Sequence, residues 1–226
     1  MRNTRMWRVS GMFANAVLGM ALIVSTAQAD DATRMRDQAA MQARLTEIMA
    51  DPAARDAAAA AGKERGSFCA FCHGDDGISK KDWLPNLAGQ SARYTLDQNL
   101  AYASGERKNQ VMNDLAANMT DEELINLSVF YAVQTPERLD ADVHGKDLTV
   151  GKNFYQSACA RCHGEDGRGE KGYTWIAGQK QEYVRRALTR YRDGEGGRID
   201  QEMAEVTASI TDQLIDNLAA YIATLR

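Results

Sequence analysis

Cysteine is scarce and confined. The 226-residue chain holds four, all inside two five-residue words, Cys69-Ala70-Phe71-Cys72-His73 and Cys159-Ala160-Arg161-Cys162-His163. None is left over for the disulfide framework that staples many small exported domains. Proline is as rare: Pro52, Pro85 and Pro136 are the whole complement, which excludes a proline-rich tract. Excess positive charge is also missing, since the formal net charge is −4, and so acidic a chain is a poor ligand for nucleic acid. Only three histidines are present, and two of them close the cysteine words.

In a C-x-x-C-H word, two thiols one helical turn apart can each form a thioether to a porphyrin vinyl group while the adjacent imidazole binds iron. This is the attachment pattern of c-type haem. Thiolate and imidazole also suit zinc, and a paired thiol suits redox exchange, so a Cys-rich zinc site or a thioredoxin-like dithiol is the competing reading. Duplication favours haem. Each word has its own His, is followed by Gly and an acid, and stands 90 residues from the other.

The first 29 residues read as a signal peptide, with Arg2, Arg5 and Arg8, an apolar run from Val9 to Thr26, and the small-x-small site Ala27-Gln28-Ala29. Export to the periplasm is expected. An uncleaved membrane anchor is the alternative, because the run falls just short of the roughly 20 residues that span a bilayer. Peripheral membrane association is compatible with either. Without 1–29 the chain carries 24 basic and 31 acidic residues, net −7.

Residues 30–52 form an added helical extension, with Met35, Met41, Leu45, Ile48 and Met49 at loosely helical spacing and Asp51-Pro52 as its stop. Beyond it the chain repeats. Leu87-Ala88-Gly89-Gln90 matches Ile176-Ala177-Gly178-Gln179, Tyr94 and Tyr102 match Tyr183 and Tyr191, and Met112 and Thr120 match Met203 and Thr211. Thr120 to Glu123 has the form of a capping box, whereas Leu214 cannot complete one behind Thr211. A first domain is placed at 53–138 and a second at 148–226. The stretch from Gln134 to Asp147, with Pro136 and Gly145, joins them, the linker proper being 139–147. Each repeat is small for an independent core. The expected fold is all-α, helices packed around a covalently bound haem in each of two tandem domains, with no sheet of consequence.

His73 and His163 are the expected proximal ligands. For the sixth position, Met112 and Met203 are the methionines that recur at one place in both repeats, each eight residues before the capping Thr. Met119 faces Ile210 in the repeat and reads as packing. His144, in the linker and without a counterpart, reads as solvent-exposed. A thioether ligand favours ferrous iron and raises the potential, and filling both axial positions suits a carrier better than a catalyst. Each proximal His should give its second N–H to a backbone carbonyl, with Pro85 and Thr174 as the candidates.

These residues resemble class I cytochromes c, and their tandem arrangement resembles the dihaem cytochrome c4 family. The likeness runs from about Ala53 to Arg226 and rests on Cys-x-x-Cys-His-Gly, Leu/Ile-Ala-Gly-Gln, the Met, and the helix after Thr120 or Thr211. It implies two covalently bound haems c, pseudo-twofold symmetry, and electron delivery to redox proteins such as a terminal oxidase, reductase or dehydrogenase. Two alternatives stand beside this reading. One is the electron-accepting subunit of a periplasmic dehydrogenase complex, with the Met-rich extension as the contact. The other is a dihaem enzyme such as a peroxidase or thiosulfate dehydrogenase. The chain departs from the family pattern in its extension, in Thr174 where the first copy has Pro85, and in Gly62, seven residues before its Cys where Gly151 is eight. That last departure leaves the helix crossing of the first domain open. Arg185, Arg186, Arg190 and Arg192 gather on one stretch of the second copy, either as a docking face for acidic partners or as an ordinary solvated face.

Overall fold

The computed structural model describes residues 36–136, 141, 143–169, 173–197 and 200–226. The expected signal peptide lies outside the described residues, as do residues 139, 140 and 142 of the expected linker. Everything described below belongs to one compact unit, Gln38–Arg226. Among the described residues, all regular structure is helical.

The first repeat contributes α1 (Gln38–Ala50), α2 (Pro52–Arg65), α3 (Ala70–His73), α4 (Ala92–Ala103), α5 (Gln110–Ala117) and α6 (Asp121–Ala132). The second contributes α7 (Leu148–Phe154), a π-helical turn at Tyr155–Cys159, α8 (Ala160–His163), α9 (Gln181–Asp193), α10 (Gln201–Thr207) and α11 (Asp212–Thr224). In α1 the spacing of Met41, Leu45 and Ile48 puts three apolar side chains on one face. That face is buried with Leu96, Leu100, Leu124 and Phe130 in the core of the first repeat. Gln38 and Gln42 both donate from Nε2 to Asp97 on α4. The extension therefore packs its apolar face inside the first domain.

Asp51-Pro52 ends α1 and starts α2 in one step. The Asp51 carboxylate accepts from the N–H groups of Ala53 at 2.9 Å and Ala54 at 3.3 Å, and Pro52 occupies the first helical position, where no N–H is needed. The capping box closes as expected: Glu123 N–H donates to Thr120 Oγ1 at 3.2 Å and Thr120 N–H to Glu123 Oε2 at 2.8 Å. Thr211 caps α11 alone, accepting from Leu214 N–H at 3.2 Å. Arg65 joins α2 to this corner, its Nε 2.7 Å from Glu123 Oε1.

In both repeats the helix that leads into the cysteine word, α2 or α7, crosses the last helix, α6 or α11, on a glycine. A Cβ on Gly62 would collide with the carbonyl oxygen of Asn126 and reach Phe130 Cβ at 2.7 Å; one on Gly151 would collide with the carbonyl of Asn217 and reach Tyr221 Cβ at 3.0 Å. The crossing left open by the sequence is thus the same in both domains. Its one-residue mismatch is absorbed between Gly151 and Cys159, where Ala160 N–H bonds to Tyr155 O, five residues back, in a turn wider than an α-helix.

Gly62→Ala and Gly151→Ala are each expected to cost about 2 kcal/mol or more, the toll of overpacking a tight contact, read as lowered denaturant midpoints. A second expectation concerns pH. The Thr120 N–H, with Arg65 beside it, holds the Glu123 carboxyl below its ordinary value of 4.5. A carboxylate depressed in the folded state stabilises fully above its unfolded value and loses that contribution as pH falls through the folded one. Since Gln also completes a capping box, Glu123→Gln isolates the charge. The stability gap between wild type and this variant should be constant near neutral pH and should close below pH 4.5.

Candidate functional site

Each cysteine word winds as one helical turn, with His73 N–H bonded to Cys69 O at 2.9 Å. Residues three and four apart share a face, so Cys69, Cys72 and His73 present their side chains together, as do Cys159, Cys162 and His163. The four thiols are half-buried and none forms a disulfide. Burial pushes the Cys69 thiol up and the Cys159 thiol up to about 11. Redox dithiols work from a lowered pKa, and burial moves Cys69 and Cys159 the other way. Among the described residues, no three His, Cys, Asp or Glu groups converge as a metal site would require.

The imidazoles are held alike. His73 Nδ1 donates to Pro85 O at 3.1 Å and His163 Nδ1 to Thr174 O at 3.0 Å, the two acceptors expected from the sequence. A carbonyl only accepts, so Nδ1 carries the proton and Nε2 keeps its lone pair. Burial lowers both imidazoles below the usual histidine range, against the opposing pull of the carbonyl bonds, so both are neutral at neutral pH.

The loop bearing each carbonyl is pinned from behind. Leu87 and Ala88 N–H bond to Gly77 O at 2.7 and 3.2 Å, and Ile176 and Ala177 N–H to Gly167 O at 2.7 and 2.9 Å. Gly77 and Gly167 have φ of 79° and 77°, and a Cβ on Gly77 would press the Ala88 nitrogen at 2.8 Å. Glycine meets both demands. The last helix of each repeat completes the anchor, Tyr131 O accepting from Gly89 N–H and Ile222 O from Gly178 N–H.

In the second repeat a cavity of about 490 Å³ gathers Cys159, Cys162, His163 and Met203 with the apolar walls of Ile176, Leu188 and Leu218. Met203 stands third in α10, its N–H on the capping Asp200 Oδ1 at 2.8 Å; Met112 stands third in α5, its N–H on the capping Asn109 Oδ1 at 3.1 Å. Met112 is half-buried at this matching position, though the cavity that joins Met203 to His163 does not extend to it. Met119 and Ile210 are buried in their respective cores, and His144 is exposed. Two thiols, a neutral imidazole with its Nε2 lone pair, a thioether and an apolar cavity form a donor set that fits haem c.

Sequence reasoning treated Gln90 and Gln179 only as markers of the repeat. Both are buried, and each bonds the backbone of the other repeat. Gln90 accepts from Trp175 N–H at 2.9 Å and donates to Trp175 O at 2.9 Å. Gln179 accepts from Asn86 N–H at 2.8 Å and donates to Asn86 O at 2.9 Å. The available signal was a polar residue recurring at one place in an otherwise apolar segment. Arg107 was missed as well. It lines the cavity of the second repeat from the first, bonded to Gln98 Oε1 at 2.6 Å and reaching Tyr183 Oη at 3.4 Å.

Of the four clustered arginines, Arg185 and Arg186 share Glu182, at 2.7 and 2.6 Å, and Arg192 pairs with Asp193 and Asp212. Three of the four arginines thus have a carboxylate partner within their own repeat.

Paired thiols and an orienting carbonyl on each of two similar all-helical domains define a tandem class I cytochrome c. The sequence profile of the cytochrome c family matches residues 148–226. A cytochrome c4 from Pseudomonas aeruginosa is 31% identical, over 74% of this chain and 88% of its own length. The crystal structure of reduced cytochrome c4 from Pseudomonas stutzeri superposes with a TM-score of 0.69 at 28% identity, covering 74% of this chain and 98% of that one. A thiosulfate dehydrogenase electron acceptor from Thiomonas intermedia is 26% identical, over 73% of this chain and 81% of its own length. The chain belongs to the cytochrome c4 family. It is a c-type cytochrome, an electron carrier that binds haem c covalently.

Proposed function

We propose that the protein is a periplasmic dihaem cytochrome that passes electrons between respiratory redox proteins, with His73 and Met112 as the ligands of one iron and His163 and Met203 as those of the other. The observation that carries this reading is Met203 in one cavity with Cys159, Cys162 and His163, together with the equivalent capped position of Met112. Bound haem supplies a one-electron change between ferrous and ferric iron. The protein's part is to hold it. The thiols would tether the ring, the carbonyl bond fixes each imidazole with Nε2 available, and the thioether would favour the reduced state. In the second repeat, Ile176, Leu188 and Leu218 would give a bound haem an apolar wall. The two sites are not identical, since Pro85 fixes φ at the first acceptor and Thr174 does not, so two one-electron steps at different potentials are expected. The reading of residues 1–29 supports export, and among the described residues no helix is long and apolar enough to cross a membrane.

One relative favours a narrower partner. The likeness to a thiosulfate dehydrogenase electron acceptor supports a role as acceptor for a periplasmic dehydrogenase.

Spectroelectrochemical titration of the haem-loaded protein tests the ligands. Met112→Ala and Met203→Ala should each lower the potential of one of the two steps and open that iron to added imidazole, while Met119→Leu leaves both steps in place. The reading fails if neither alanine variant moves a potential, or if Met119→Leu alone opens an iron.

A further inference from the structure

We propose that Gln90 and Gln179 are positioning residues that act in trans, each fixing and polarising the peptide that holds the proximal imidazole of the opposite domain. The inference rests on the assignment of His73 and His163 as the proximal ligands. It starts from one covalent fact: the carbonyl of Pro85 and the N–H of Asn86 belong to a single planar, conjugated peptide unit. The carbonyl end of that unit accepts the Nδ1 proton of His73 at 3.1 Å, and its N–H end donates to Gln179 Oε1 at 2.8 Å. Across the interface the carbonyl of Thr174 accepts from His163 at 3.0 Å, and the Trp175 N–H of the same unit donates to Gln90 Oε1 at 2.9 Å. Each glutamine is thus two hydrogen bonds and one peptide group away from the imidazole of the other domain.

Neither amide has room to turn. Gln179 Oε1 also accepts from its own neighbour, Lys180 N–H, at 2.9 Å, and Nε2 donates to Asn86 O at 2.9 Å; Gln90 repeats the pattern with Ser91 N–H and Trp175 O. Both side chains are buried. In that setting a chain of hydrogen bonds reinforces itself. An acceptor at the N–H end draws charge toward the carbonyl oxygen, which then takes the imidazole proton more strongly. A more strongly bonded imidazole is a better electron donor and favours ferric iron, so the glutamine of one domain lowers the potential of the other. The interface is therefore part of both proximal sites as well as a surface joining two domains.

The test uses the haem-loaded protein with Gln179→Leu and Gln90→Leu, the two redox steps having been assigned by Met112→Ala and Met203→Ala. Gln179→Leu should raise the potential of the His73 step and leave the His163 step in place, and Gln90→Leu should do the reverse. If each variant shifts the step of its own domain, or both steps equally, the residues only support the interface and the trans assignment is overturned. Failure of the two Met variants to separate the steps would instead count against the ligand assignment. A second measurement requires no substitution. In the wild-type protein, amide exchange at Asn86 and Trp175, though both lie in loops, should be slower than at exposed loop amides by about tenfold or more, the factor that one hydrogen bond implies. Exchange at ordinary loop rates would overturn the proposal.

Discussion

The bond from imidazole Nδ1–H to a backbone carbonyl is the constraint from which the rest of this structure follows. It fixes the tautomer, and with it the one nitrogen able to bind iron. A loop carbonyl is a poor anchor unless the loop is immobilised, and the chain invests heavily in that. Gly77 and Gly167 turn the backbone through a conformation other residues resist, the last helix of each domain accepts an N–H from the same loop, and Pro85 stiffens one of the two acceptors. Burial of the imidazoles keeps them neutral.

Two repeats share a single solution to this problem, and the differences between them show how it tolerates change. The extra residue between Gly151 and Cys159 would displace every side chain of the cysteine word if the helix stayed regular. A π-helical turn takes up the insertion, and the glycine crossing stays where it is in the first domain. The first repeat carries the α1 extension, whose Met41, Leu45 and Ile48 enlarge its core. Between the repeats, the reciprocal contacts of Gln90 with Trp175 and of Gln179 with Asn86 are the hydrogen-bond signature of a local two-fold relation, in which the same residue of each copy meets the same backbone of the other.

Much of this was legible in the residues because the chemistry is local. The cysteine words, the capping box at Thr120, the Asp51-Pro52 helix stop and the two carbonyl acceptors each depend on a few neighbours in sequence, and each was read from spacing. What escaped depends on contacts between distant residues. Spacing flagged Gly62 and Gly151 as discordant by one residue, and only the three-dimensional path of the helix shows them to be equivalent. In the arginine row, the pairing of Arg192 with Asp212, 20 residues further on, likewise shows only in the fold. Gln90 and Gln179 stood out as repeated letters, but a glutamine's partner 85 or 93 residues away leaves no trace in local pattern.

The account depends on both cysteine words holding haem through thioether bonds. The most direct measurement is the intact mass of the haem-loaded protein after denaturation and treatment with a thiol alkylating agent. The account expects the polypeptide plus two haems and no alkyl group, because all four sulfurs are already bonded to carbon. A mass with fewer than two haems, or with alkyl groups on Cys69, Cys72, Cys159 or Cys162, would contradict it.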